Sequence, residues 1–284
     1  LLRKFFCTAY NFALRGLDKS VPEECDSRVV PILVHEEKGT GKSTFWRKMG
    51  LQGAVKKTTG ISGTEFYSQC QGELPKDERQ FKSEQTYNLL FQFDDMTDVM
   101  IKANGTLRSL ISANEISVRL LYQNKSQTNL RRASFCGSSN HIKLIKDKTE
   151  NRFMPFKLAG VMDFELFNSI DKFQFWAQIR NIVIQEQKEV QFNREDLKKI
   201  NELAQEFVYH SPLENSLSIM LRYDPIGKLT FTAIKGSLRE RGFYNVSDNQ
   251  LSSALQKMVT EGGSLKKKIN GSFYYNLSYK DLGA

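Results

Sequence analysis

Val29-Val-Pro-Ile-Leu-Val-His-Glu-Glu-Lys-Gly-Thr-Gly-Lys-Ser-Thr-Phe45 is the stretch whose reading decides this chain. Ser27–His35 is a short apolar run of strand length. Pro31 lies inside it and cannot donate to a ladder, so the strand is expected to begin there. Glu36–Gly41 reads as a turn and Lys42–Met49 as the start of a helix. A glycine turn between strand and helix lets backbone N–H groups converge on a polyphosphate at the helix N-terminus. In that setting Gly39, Thr40, Gly41, Lys42, Ser43 and Thr44 form a candidate ATP-binding loop. Lys42 would reach the β- and γ-phosphates, and Ser43 would hold Mg²⁺. The full consensus has a glycine where Glu36 stands, and an ordinary glycine turn is the competing reading.

A phosphate loop needs a second acidic group, delivered from the end of a neighbouring strand. Asn88–Phe93 is a strand candidate, and Asp94-Asp95 closes it. Asp94 is expected in the metal shell with Ser43, and Asp95 is expected to orient or deprotonate the attacking water. Glutamate is commoner in the second role, which leaves slow turnover open. The same two residues also fit the cap of a following helix, and Asp98–Ser112 reads as one.

Elsewhere Leu1–Leu17 has helical spacing at Phe5, Ala9, Phe12 and Ala13, and Glu186–Phe207 at Ile200, Leu203, Ala204 and Phe207. Ile116–Tyr122 and Arg132–Gly137 are strand candidates around a polar tip, Gln123–Asn129. From Ser216 the texture changes. Helices are expected at Ser216–Arg222, Thr232–Arg241 and Ser247–Glu261, followed by a lysine run, the hairpin-turn pair Asn270-Gly271 and an alternating Ser272–Leu277. Three helices and a two-stranded hairpin make the pattern of a winged-helix module.

The 284 residues carry a net charge of +9, with 40% hydrophobic and 26% charged residues. That composition suits a globular chain, and its basic excess suits nucleic acid or another anionic surface. No apolar run reaches the ~18 residues of a membrane span. Cys7, Cys25, Cys70 and Cys136 form no CxxC pair, and His35, His141 and His210 stand at no metal-ligand spacing from them. A reduced cytoplasmic protein without structural zinc is expected. Leu1 reads as the cut edge of a longer protein.

The order of these pieces resembles the virulence-associated E family, grouped with the superfamily 3 (AAA+) helicases of phages, plasmids and mobile elements. Pro31–Trp46 is similar to that family's phosphate loop and Phe93–Met96 stands at its second acidic motif. Leu107–Ser112, with Arg108 where lysine is common, and Arg119–Tyr122 follow in order. Phe135–Asn140 resembles the strand ending in a polar sensor, which implies Asn140 beside the γ-phosphate or the attacking water. Asp147–Phe153 is similar to an Asp-x-Thr-Gly-x-Arg-Arg-Phe stretch, with Glu150 in place of the glycine and Arg152 alone in place of two arginines. Phe173–Ile179 resembles the helix that follows. The resemblance implies an α/β fold: a P-loop AAA+ type ATPase core over 29–180, preceded by a helical lead-in over 1–28. A helical connection over 181–215 and a winged-helix-like domain over 216–284 complete the expected organisation.

By the same resemblance the cofactors are ATP and Mg²⁺, the assembly is a homo-oligomer (often a hexamer) and Arg152 is a finger offered to a neighbouring subunit. Single-stranded DNA would run in the channel, touched by Lys125 at the hairpin tip, with Arg131 and Arg132 further along. Lys125 also fits a solvated lysine on an ordinary turn. In the C-terminal module Asn249, Gln250, Ser253 and Gln256 are expected to face out of the third helix, with Lys266, Lys267 and Lys268 on DNA phosphates, although such modules also bind proteins. Three functions remain open: an ATP-driven helicase or helicase-like motor for replicating a mobile element, a slow ATP-binding initiation or loading switch, and a DNA-binding scaffold with a vestigial loop.

Overall fold

The computed structural model describes residues 1–52, 66–102, 104–119, 126–145, 151–186, 190–258, 266–269 and 272–280. They divide into two compact units, Leu1–Tyr209 and His210–Ala284.

The first unit is a mixed α/β body around a parallel sheet. Its strands are β1 (Val30–Val34), β2 (Tyr67–Gln71), β3 (Leu90–Asp94), β6 (Ser134–Ser139) and β7 (Phe153–Lys157), ordered β2-β3-β6-β1-β7. All four pairings are parallel. A parallel sheet is covered on both faces, and so its inner strands read as continuous apolar runs. Leu33, Leu90, Cys136 and Met154 pack on one face with the helices Leu2–Leu14, Lys42–Met49 and Lys172–Ile184. Ile32, Val34, Phe91, Phe93, Phe135 and Phe153 pack on the other, with the helices Glu78–Glu84, Thr97–Lys102 and Asn104–Ser112. The N-terminal helix is part of this core: Phe5 and Phe6 pack against Trp46, and Phe6 also against Trp176.

The region Asp98–Ser112 is helical as expected on both sides of residue 103, which lies outside the described residues, with Thr97–Lys102 before it and Asn104–Ser112 after it. Several expectations are corrected here. The antiparallel hairpin is β4 (Glu115–Arg119) with β5 (Ser126–Leu130), in register Arg119↔Ser126. Residues 126–129, expected in its tip, are strand. Arg132–Gly137 is not the second arm, because Ser134 onwards belongs to β6 of the central sheet. The polar Ser-Gln-Thr-Asn of β5 carries no apolar alternation to mark it as strand. From Glu186–Phe207 the helix is Arg194–Ala204, started by an Asn193/Asp196 capping box and ended by the 3₁₀ turn Gln205–Phe207.

At the root of the hairpin, Arg131 turns inward. Its side chain is fully buried and donates to the carbonyls of Ala113 and Ala133 (both 2.6 Å), Ile111 (2.9 Å) and Ser27 (3.0 Å). The guanidinium carbon lies 4.5 Å from the Phe12 ring centroid and 4.8 Å from that of Phe135. Arg132 donates to the carbonyls of Ala13 (2.6 Å) and Arg15 (3.2 Å) at the end of the N-terminal helix. Both arginines are structural ties between segments distant in sequence, not extensions of a DNA-contacting tip.

The second unit has its own apolar core of Leu217, Met220, Leu221, Ile234, Leu238, Leu251, Ala254, Leu255, Tyr275 and Leu277. Its helices are Pro212–Met220, Phe231–Glu240 and Asp248–Lys257. The first starts earlier than expected, because Ser211 and Glu214 form a capping box with Pro212 in the first turn. It also ends earlier: Leu221–Tyr223 is strand β8, paired antiparallel to β11 (Leu277–Tyr279). Strands β9 (Lys266–Ile269) and β10 (Ser272–Tyr275) form the second antiparallel pair. Among the described residues no helix is long and apolar enough to cross a membrane.

Candidate functional site

The sheet order places a crevice. From β1 the chain crosses to β2 on one side, and from β6 it crosses over β1 to β7 on the other, although β1 and β6 are neighbours. In open α/β sheets ligands bind beyond the carboxyl ends of the strands where the order reverses in this way. That point lies at Val34, which pairs with Ser139; the next N–H, of His35, donates to the Ser139 carbonyl at 3.2 Å.

The glycine loop Glu36–Gly41 leaves from there. Gly39 (φ +79°) and Gly41 (φ +97°) hold left-handed backbone, which glycine adopts without steric cost. Gly41 caps the helix Lys42–Met49, and a Cβ on it would lie 2.6 Å from Cζ of Phe164 and 3.1 Å from Cβ of Met162. The Thr40 carbonyl accepts the Met162 N–H at 3.0 Å, so the segment Met162–Phe164 braces the loop from outside. Gly41→Ala is therefore expected to destabilise the first unit by about 1–3 kcal/mol, read as a lower urea midpoint at unchanged m-value.

Lys42 is 6% exposed. Its Nζ donates to the His35 carbonyl (3.0 Å), the Glu37 carbonyl (2.9 Å) and Thr40 Oγ1 (3.0 Å). Burial pulls its pKa below the ordinary lysine value, while the charges of Asp94 and then Asp95 push it back up.

Strand alternation aims Asp94, like Leu90 and Gln92, at the face covered by the helix Lys42–Met49. Its Oδ1 accepts from Ser43 Oγ at 2.6 Å, Ser138 Oγ at 2.5 Å and Gln92 Nε2 at 3.3 Å. Asp95 has φ +50°, a left-handed backbone that aspartate tolerates better than most residues. The turn gives the adjacent carboxylates separate partners. Asp95 donates its N–H to Ser138 Oγ (3.2 Å), while its oxygens accept from Thr97 Oγ1 (3.2 Å) and Asn140 Nδ2 (3.3 Å).

The loop is fastened to the same strands. The Trp46 indole N–H donates to the Gly137 carbonyl at 2.8 Å, and the Met96 N–H to the Ser138 carbonyl at 2.9 Å. Gly137 has no room for a side chain, since a Cβ there would meet Met96 Sδ at 2.2 Å.

Of the residues singled out in the sequence, Ser43, Asp94, Asp95 and Asn140 thus share one hydrogen-bonded network, and Lys42 feels the charge of both aspartates. Arg152 stands elsewhere. Its carbonyl accepts the Val30 N–H at the amino end of β1, so about 13 Å of strand separates it from the loop of its own chain. Lys125 lies outside the described residues. Lys266, Lys267 and Lys268 are in β9, in register with Tyr275, Tyr274 and Phe273. Asn249, Gln250, Ser253 and Gln256 are at least partly exposed, but Gln250 Oε1 is engaged by the Ser247 N–H in a capping box. Among the described residues no three His, Cys, Asp or Glu side chains cluster as a metal site. Ser138, Thr97, Gln92 and the Met162–Phe164 brace are additions that the sequence reading does not contain. Gln92 leaves a signal, as the one polar residue inside Leu-Leu-Phe-Gln-Phe.

Comparison with known proteins gives a family and a number of similar solved structures. A model of the virulence-associated protein E-like domain matches residues 19–209. Among solved structures, an apo structure of the NrS-1 C-terminal region (305–718) is similar with a TM-score of 0.42 and 16% identity, over 90% of this chain and 58% of that one. An A-form apo structure of the same region gives 0.40 and 18%, over 90% and 57%. The chain thus spans less than two thirds of the length of these solved chains. No curated protein sequence matches it.

Proposed function

Since the chain belongs to the virulence-associated protein E-like family by a match over most of its length, we propose that it is an ATP-hydrolysing P-loop motor of AAA+ type. Its task is the handling of DNA during replication of a phage or other mobile element. One observation carries this reading. The left-handed glycine loop, Lys42, Ser43, the Asp94–Asp95 pair and Asn140 converge at the carboxyl ends of β1, β3 and β6, where the strand order reverses.

The residues fit the chemistry in named roles. Lys42 trades loop carbonyls for β- and γ-phosphate oxygens, and the loop N–H groups of Gly39–Thr44 cradle the phosphates. Ser43 and Asp94 would hold Mg²⁺, which takes few protein ligands and fills its octahedron with phosphate and water. The ion supplies charge compensation on the transferred phosphoryl group. Asp95 accepts the proton of the attacking water as the bond to the β-phosphate oxygen breaks, and Asn140 donates to the γ-phosphate or that water.

Arg152 is too far from its own loop to take part there, which favours service at the site of a neighbouring subunit. Arg152→Ala subunits titrated into wild type should then depress turnover more steeply than their mole fraction. Strict proportionality would exclude the shared site. In the second unit, the three helices and β9–β10 pair support a winged-helix reading with Lys266–Lys268 on DNA phosphates. Replacing all three by glutamine should lower the slope of log affinity against log salt by up to ~0.9 for each phosphate that is no longer neutralised. An unchanged slope would put the wing off the DNA.

A slower machine, an ATP-binding switch for initiation or loading, is favoured by one detail: the Asp95 carboxylate is already shared between Thr97 and Asn140. ATP hydrolysis at micromolar protein, with and without single-stranded DNA, tests both readings. DNA-stimulated turnover supports the motor, binding with little turnover the switch, and no nucleotide affinity neither.

A further inference from the structure

Behind Asp94 runs a polar chain set among the apolar side chains of its sheet face. Gln92 is fully buried and Tyr67 is 1% exposed, beside Leu33, Leu90, Cys136 and Met154. An amide and a phenol removed from water there are costly unless hydrogen-bonded, and apolar side chains of the same size would fill the space as well. The Tyr67 hydroxyl lies 2.5 Å from Gln92 Oε1 and 2.8 Å from Gln69 Oε1. Burial pushes its pKa up, so the phenol keeps its one proton.

With that proton given to Gln92, Oε1 is fixed as the acceptor end, and Nε2 is the end that meets Asp94 Oδ1 at 3.3 Å. A flipped amide would set its oxygen against the carboxylate. Ser43 also donates to Asp94 and can keep that bond while a lone pair of its oxygen meets a cation, but it reaches the carboxylate from the helix after the glycine loop. Gln92 and Ser138 hold the same oxygen from the sheet itself.

We infer that Tyr67 and Gln92 are positioning residues that hold Asp94 in the orientation required by Mg²⁺, an inference that rests on the nucleotide reading above. The relay begins on the edge strand β2 and acts on the metal, not on the phosphates.

The test is the Mg²⁺ concentration that half-saturates tight binding of a fluorescent ATP analogue, in wild type, Tyr67→Phe and Gln92→Met. Affinity in EDTA and circular dichroism are measured alongside. Both variants should need roughly tenfold more Mg²⁺ while keeping wild-type affinity in EDTA and a wild-type spectrum. Wild-type Mg²⁺ dependence in both would overturn the relay and leave the nucleotide reading intact. An equal loss of affinity with and without Mg²⁺ would make the pair a packing element only, and would also overturn it. Should wild type bind no analogue, the nucleotide reading fails and takes the relay with it.

Discussion

Lys42→Ala is expected to cut ATP affinity and turnover at least a hundredfold, a loss of roughly 2.7 kcal/mol or more. The ammonium is the cation best placed to meet a polyphosphate on this loop, and three acceptors converge on its one nitrogen within 3.0 Å. Alanine removes the charge and leaves those acceptors to water, while Trp46, one turn further along the helix, still anchors it to Gly137. The fold should survive, so that circular dichroism stays native while nucleotide binding collapses. Lys42→Arg should not rescue, because a planar guanidinium cannot gather three acceptors around a point. Turnover undiminished in Lys42→Ala would remove the loop from the reaction altogether.

The second large effect concerns stability. Arg131→Met should cost the first unit about 3–5 kcal/mol. Methionine fills part of the volume but leaves the carbonyls of Ser27, Ile111, Ala113 and Ala133 without the donors they meet in the native fold. Burial, and next the charge of Arg15, pull the Arg131 guanidinium below its ordinary value. The four carbonyls and two ring faces oppose that pull and favour the charged form. Urea unfolding followed by tryptophan fluorescence isolates the effect, since Trp46 and Trp176, the chain's two tryptophans, both lie in this unit. A midpoint within error of wild type would mean that water reaches those carbonyls and that the arginine is dispensable.

The contrast between Lys42 and Arg131 marks what the sequence can disclose. The placement of Lys42 is legible because it is written in neighbours: a strand before, glycines around it, a helix after. The acidic pair is legible for the same reason, as polar residues at the end of an apolar run. Arg131 is not, because a charged residue beside a polar hairpin looks like surface, and only tertiary packing brings four carbonyls to it. The hairpin's second arm escapes reading because Ser126–Leu130 has no apolar alternation. Ser138 is hidden in a run that resembles loop composition, although its hydroxyl links both aspartates. Pairing across β3 and β6 is a long-range event, and local periodicity does not encode it.

The Lys42 latch and the clamped strand ends also fix how binding would register in a calorimeter. Any polyanion claiming Lys42 trades one set of hydrogen bonds for another on groups that are already placed. Little apolar surface changes hands and no segment among the described loop residues has to order. The heat-capacity change on binding should accordingly be small, unlike the large negative value of folding coupled to binding, and the heat released should come from charge meeting charge.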